Sequence, residues 1–406
     1  MGIILAMSWR NIWRNKVRSV IIIASVTFGL FAGLFVLGLY EGMMDSRVRT
    51  VIDTEVAHLQ MHHPHFEDDY EPGFVLPAKN KLTESILKNA HVKTMTTRSV
   101  VQGMLANATG TAGVQINGIE MTKESLVSHL GDNIIDGKGL SENRKNSILV
   151  GKKLVDKLKL RVGSKVILTF TDKESNIVSA AFRIEGIFQT DNTPRDERNV
   201  FVHQTTLNSN LSIGDDVHEI AVLLYKDDDV EAVTKQLQEE FPEVKVESWT
   251  DNSPETELMV STVNQYSYII MVIIMFALAF GIINTMLMAV LERTREIGML
   301  GALGMNHKKL FVLVLMETIL LTIAGAPIGL LISWLVIQYF GKVGIDISSF
   351  AGEAMSSFGY SSIVYPEFPA SRMLGIIIIV VGTALVSSLF PSIKALKLQP
   401  ADALRQ

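Results

Sequence analysis

The 406-residue sequence contains no cysteine. That excludes disulfides, thiolate nucleophiles, thiolate zinc sites and a lipid-modified cysteine on this chain, and it is compatible with an oxidising compartment. Also absent is the phosphate cradle G-x-x-x-x-G-K-[ST], by which a chain that uses ATP itself would hold the nucleotide. Gly163-Ser164-Lys165 has the lysine without the upstream glycine spacing. Neither G-x-S-x-G nor H-E-x-x-H occurs, so hydrolase and zincin chemistry have no anchor. The expectation is a chain that is not an enzyme, with no cofactor of its own.

Four stretches lack charge, and they dominate what is present. Val20–Tyr40 is uncharged over 21 residues and Leu258–Leu291 over 34, Leu310–Phe340 is interrupted only by Glu317, and Met373–Ile393 is again uncharged. As a helix, 21 residues reach roughly 30 Å, enough to cross a bilayer. With 48% hydrophobic residues and a mean hydropathy of +0.28, the chain reads as a few spans joined to a large soluble part. Residues 41–262 carry 24 Lys and Arg against 35 Asp and Glu, a net of −11, while the remainder carries 13 against 7. An acidic domain is joined to a basic membrane portion, and the two are expected to face different compartments.

Lys and Arg in short loops set the orientation. Arg10, Arg14, Lys16 and Arg18 precede the first span. Arg293, Arg295, Lys308 and Lys309 lie between the second and third, and Lys394, Lys397 and Arg405 follow the fourth. Only Arg47, Arg49, Lys342 and Arg372 flank the other side. Both termini are therefore expected in the cytoplasm. The layout is 1–19 as an N-terminal segment, 20–40 as the first span, 41–257 outside, 258–291 as the second span, 292–309 as a cytoplasmic loop, 310–340 as the third span, 341–372 outside, 373–393 as the fourth span and 394–406 as a tail. The first apolar run is too long for a signal-peptide core and no A-x-A-like site follows it, so it reads as a signal anchor. Ahead of it, Leu5, Trp9, Ile12, Trp13 and Val17 recur at helical spacing among Arg10, Asn11, Arg14 and Arg18. That pattern suits an amphipathic helix in the membrane interface or a plain extension of the first span.

The outer segment is long enough to fold by itself. At one end, Glu55–His63 alternates as a strand, Leu82–Ala90 reads as a helix and Val92–Ala106 as a strand. At the other end, Glu219–Lys226, Asp229–Phe241 and Val244–Trp249 repeat the order. The middle, about 107–215, is mostly strand with one helix at Gly151–Leu160. The expected fold is membrane α-helical with four transmembrane helices. It carries an α+β extracytoplasmic domain of two lobes, a ferredoxin-like one with an inserted β-rich one. His58, His62, His63 and His65 suit a polar strand end better than a metal site, because no cysteine or evident second shell supports them. Asp227–Asp229 suit a helix N-terminus.

The 292–309 loop mixes signs at helical spacing in Glu292, Arg293, Arg295 and Glu296. Gly298, Gly301, Ala302 and Gly304 then leave a nearly bare face. It fits either a docking surface or a short solvated connector. Its Leu291-Glu292-Arg293-Thr294-Arg295-Glu296-Ile297-Gly298 core, followed by Ala302-Leu303-Gly304, resembles the signature of FtsX-like ABC permeases. These are the superfamily of lipoprotein-releasing (Lol-type) and macrolide-exporter (MacB-type) membrane subunits. Trp9-Arg10-Asn11, Met316-Glu317 with Gly325 and Gly329, Pro391, and Pro400-Ala401-Asp402-Ala403-Leu404-Arg405 resemble it too, so the likeness spans the whole chain.

The resemblance implies a bacterial inner-membrane permease whose loop docks into a separate ATPase. Glu292, Arg293, Arg295, Glu296, Gly298 and Gly301 would lie at that interface, with ATP and magnesium on the partner. Two ATPase copies and a second permease subunit, identical or different, would complete the assembly, and a periplasmic carrier or adaptor is a possible further partner. No nucleic acid is implied. For the Lol-type, which chain length and the absence of a fused ATPase favour, the outer halves of the first two spans would form a lipid cavity. Phe31, Phe35, Leu39, Met259, Val263, Tyr266 and Ile270 are its candidates here, with lipid-facing or helix-packing roles as the alternative. Thr193-Pro194-Arg195 is read as a protruding loop that meets a carrier. Two functions stay open: extrusion of lipoproteins or another hydrophobic substrate, and mechanotransmission to a periplasmic enzyme or signalling partner.

Overall fold

In the computed structural model, residues 2–14, 16–77, 79–141, 144–292, 294, 299, 305–368 and 373–396 are described. They form two units. One comprises Met1–Met44, Val260–Ile345 and Ile363–Gln406, and the other Asp45–Met259 and Asp346–Ser362.

The first unit is a helix bundle. Its long helices are Lys16–Thr50, Pro254–Glu292, His307–Val343 and Met373–Leu396, each long and apolar enough to cross a membrane. The caps follow the local sequence. Pro254 opens the second helix with Glu255 and Glu257 in its first turn, as the missing proline N–H and the helix dipole favour. Asn306 caps the third by accepting from the Lys308 N–H at 3.2 Å, and Gly344, at φ +78°, ends it. Ile22, Val26, Leu30, Leu34 and Leu37 make one buried stripe along the first helix. They pack with Leu278, Ile282, Met286 and Val290 of the second.

Small residues set the helix distances. A Cβ on Gly325 or Gly329 of the third helix would lie 3.0 Å from the carbonyl oxygen of Ile23 or Thr27 on the first. The Thr27 hydroxyl donates to the Gly325 carbonyl at 3.1 Å. Close backbone approach of this kind is how helices associate where lipid removes the hydrophobic drive. The N-terminal helix Gly2–Arg14 buries Ile12 and leaves Trp9 and Trp13 exposed, their rings 6.0 Å apart edge to face.

The second unit is built on ten strands: β1 Leu59–His62, β2 Val92–Ala106, β3 Thr111–Ile119, β4 Ile134–Gly137, β5 Ser147–Gly151, β6 Lys165–Thr171, β7 Ile177–Phe188, β8 Asn199–His203, β9 Glu219–Leu224 and β10 Lys245–Ser248. In the order β10-β1-β9-β2, all antiparallel, with helices Lys79–Lys88 and Val230–Glu240 as crossovers, they form the ferredoxin-like lobe. Leu59, Met61, Leu82, Ile86, Ile220, Val222, Val233 and Leu237 fill its core.

The inserted lobe closes on itself. β2 pairs β3, β3 pairs β8, β8 pairs β5, β5 pairs β7, β7 pairs β6 and β6 returns to β2. The six strands form a small barrel filled by Val101, Leu105, Ile116, Val150, Leu168, Phe182 and their neighbours, as a barrel of this size requires. Strand β2 belongs to both lobes: Val92–Arg98 pairs β9 and Ser99–Ala106 pairs β3.

Several expectations need correction. Glu55–His63 is not one strand; Val51–Val56 is π-helical, Ala57 turns at φ 60° and only Leu59–His62 pairs. The first helix continues beyond its apolar run because residues 41–50 still favour helix, with an Arg49–Asp45 pair at 3.2 Å. The middle of the domain holds three further helices, Met121–Ser128, Thr193–Arg198 and Gln204–Leu211. The 341–372 segment also includes helix Ser348–Ser357. Thr193-Pro194-Arg195 is no protruding loop. It opens a packed helical turn in which Asn192 accepts from the Arg195 N–H at 3.2 Å and Asp196 is buried, taking the Thr190 hydroxyl at 2.8 Å.

Candidate functional site

The charged centre of the outer unit lies where its two lobes join. Arg47, in the last turns of the Lys16–Thr50 helix, donates through Nη1 to Glu55 Oε1 at 2.9 Å and through Nη2 to Thr256 Oγ1 at 3.2 Å. Its Nη1 also reaches the Gly359 carbonyl at 3.4 Å. Gly359 sits at φ +74° and a Cβ there would come within 2.7 Å of Nη1, so only glycine brings this carbonyl so near. Glu55 Oε1 also accepts from Asn192 Nδ2 of the barrel lobe at 2.6 Å.

From there the network enters the sheet. Arg98, at the point on β2 where pairing passes from one lobe to the other, donates to the Glu55 carbonyl at 3.3 Å. It grips Glu124 with two bonds of 2.9 and 2.8 Å and Glu219 with one of 2.7 Å. Gln60 donates to Glu219 at 3.0 Å. His62 lies 3.5 Å from Glu219 and 3.6 Å from Glu247. Lys245 closes the series on Glu67 and Glu247 at 2.8 and 2.6 Å.

Burial would raise the Glu219 carboxyl, but Arg98 and His62 overcome it and hold it at about 2. Burial would lower His62, yet Glu219 and Glu247 push it up to about 9. His62 is therefore an imidazolium at neutral pH. Ligand atoms of His62, Glu67 and Glu247 lie within 4.8 Å of one another. The Lys245 ammonium already occupies both carboxylates, so this group is a charge pair and not a vacant cation cradle. His58 is structural as well: Nε2 meets Asp227 at 2.9 Å and Nδ1 accepts from the Leu224 N–H at 3.2 Å.

Arg293, Arg295, Glu296, Gly298 and Gly301 lie outside the described residues; Glu292 ends the second helix and is exposed. Among the cavity candidates, Phe31 and Phe35 stack at 5.7 Å, Phe35 meets Phe340 edge to face at 6.4 Å, and these two and Leu39 are half-buried. Ile270 is half-buried and Tyr266 exposed, while the side chain of Val263 lies outside the described ones. Met259 belongs to the outer unit, where it lines a polar recess with Arg47 and Glu55. Among the described residues, an apolar groove of about 340 Å³ runs between the third and fourth helices beside Thr322, Pro327 and Val381.

Sequence reasoning missed the charged seam itself. Its signal was an Arg in the middle of the β2 pattern and a Glu opening β9, charges at positions where a buried strand needs partners.

Comparison with known proteins bears on the whole chain. The MacB-like periplasmic core domain matches residues 19–240, and the FtsX-like permease C-terminal family matches residues 268–400. The transmembrane protein LolC of the lipoprotein-releasing system of Neisseria meningitidis serogroup B is 26% identical over 324 residues, 75% of this chain and 76% of that protein. LolE of Haemophilus influenzae is 20% identical over 92% of this chain and 90% of its own length. A macrolide export ATP-binding/permease protein MacB from Chlorobaculum tepidum is 33% identical over 31% of this chain, which is 16% of that protein.

Proposed function

We propose, for a chain that belongs to the FtsX-like ABC transporter permeases and carries their MacB-like periplasmic core domain, that it turns ATP hydrolysis on a separate ATPase into motion of its outer domain. That motion extracts lipoproteins, or another hydrophobic substrate, from the outer leaflet of the bacterial inner membrane. The observation that carries this reading is one continuous helix. Lys16–Thr50 holds the first apolar stripe and, further along, the Arg47 that grips Glu55, which in turn holds the barrel lobe through Asn192. A displacement of that helix end is passed on to groups of both lobes by directional bonds. Similarity to lipoprotein-releasing proteins over three quarters of the chain supports the cargo.

In this reading the termini and the 292–309 loop face the cytoplasm. Two ATPase copies bind ATP and magnesium, a second permease subunit completes the complex, and a periplasmic carrier or adaptor receives the cargo. Glu292, Arg293, Arg295 and Glu296 form the ATPase contact. Glu296→Lys is expected to abolish permease-stimulated ATPase activity while the chain stays folded in the membrane; retained stimulation would place the contact elsewhere. The cargo is tested by reconstitution with the ATPase and a lipidated protein, measuring ATP-dependent release. Normal ATP turnover without release would rule extraction out and leave the mechanotransmission role.

A further inference from the structure

A cavity of about 450 Å³ opens at the seam of the two lobes of the outer unit. Its walls are rich in neutral polar side chains: Gln60 and Tyr70 on the ferredoxin-like side, Gln115, Asn117 and Asn199 on the barrel side. Arg195, on the helical turn Thr193–Arg198, also lines it. Its Nη1 is buried and has no hydrogen-bond partner among the described residues, and its guanidinium carbon lies 5.9 Å from the Phe201 ring.

Three carboxylates also line it, each hydrogen-bonded to another group; Glu67 holds Lys245. Glu124 and Glu219 hold Arg98, and Glu55 holds Arg47 and Asn192. Burial lowers the Arg195 pKa; Glu55 opposes this and the charge of Arg98 adds to it. Arg195 as a whole is half-buried and lines the cavity, and native proteins leave few buried donors such as its Nη1 without a ligand, ion or water.

We propose that this cavity is a ligand site for an oxyanion flanked by hydroxyl or amide groups, a phosphorylated sugar or a peptide carboxylate, with Arg195 as its charge anchor. A guanidinium presents paired N–H groups that match carboxylate and phosphate oxygens. The surrounding amides offer both donors and acceptors to the neighbouring groups, and the volume suits a small solute. Because the walls come from both lobes, a bound ligand bridges them. The site would then report the presence of a solute to the element that Glu55 and Arg98 hold in place.

The test is calorimetric titration of the full chain in nanodiscs, with glucose 6-phosphate in one arm and N-acetylglycylglycine in the other. Glucose and N-acetylglycylglycine amide serve as uncharged controls. Wild type is expected to bind saturably in one arm, which identifies the solute as phosphorylated or peptide-like, and to ignore both controls. Arg195→Met is expected to weaken that binding at least tenfold, and Arg195→Lys to retain part of it. Without ligand, Arg195→Met should melt no lower than wild type, because a cation that burial and the charge of Arg98 disfavour has been removed. Absence of saturable binding in both arms, or undiminished binding by Arg195→Met, would overturn the proposal. A folded Arg195→Lys that melts like wild type ensures that a loss in Arg195→Met is read as loss of the anchor. The readout needs no ATPase and no cargo, so it stands or fails apart from the transport reading.

Discussion

In the helix bundle, neighbours approach through Gly29, Gly325 and Gly329 and touch through aliphatic side chains. In the outer unit, the lobes meet through Arg47, Glu55, Arg98, Glu124 and Glu219, each engaged by bonds of 2.6–3.4 Å. The two kinds of contact respond differently to displacement. Apolar packing is non-directional and individually weak, so its energy changes gradually as surfaces shift. A buried arginine fork is directional, and separating it from its carboxylates leaves a charge unpaired at a cost of several kcal/mol.

The contrast can be broken most strongly at Arg98. Arg98→Leu strands Glu124 and Glu219 in the interior, and the outer unit is expected to lose about 3–5 kcal/mol of stability, read by chemical denaturation with Trp249 fluorescence. The pH dependence of the same unit is the next largest effect. His62 titrates at about 9 against an ordinary 6.5, so its contribution is complete below pH 6.5 and is lost as pH rises through 9. The loss is at most about 3.5 kcal/mol, since each tenfold gain in proton affinity corresponds to about 1.4 kcal/mol. His62→Gln should flatten denaturation midpoints across that window, and an unchanged slope would assign the proton elsewhere. In the bundle, Gly329→Leu forces the first and third helices apart at a cost of about 1–3 kcal/mol, seen as a lower melting temperature in detergent with the outer-unit transition unmoved.

The sequence made the split architecture legible because both ends of the outer segment repeat strand, helix and strand, and apolar and polar residues alternate in β1. It did not reveal the closure of the barrel. That depends on β2 pairing β9, β3 and β6 at different points along one 15-residue strand, and no local pattern encodes such sharing. The helical turns at Met121 and Thr193 were hidden for a related reason: they are short and are held by caps and tertiary contacts, such as Asn192 with Arg195, and not by apolar periodicity. Gly325 and Gly329 stood out as weak landmarks, and their role became physical only with the carbonyls of Ile23 and Thr27 opposite them. The seam was least legible, because an Arg or Glu reads as a surface residue until its partner, 121 positions away for Arg98 and Glu219, is brought beside it.

The most direct test of a lever acting through this seam is the amount of lipidated protein released per ATP hydrolysed by the reconstituted complex. With Arg47→Met and, as a gentler change, Glu55→Gln, ATP turnover should persist while release per ATP falls, more steeply for Arg47→Met. Release per ATP equal to wild type in both variants would contradict a stroke transmitted through Arg47 and Glu55.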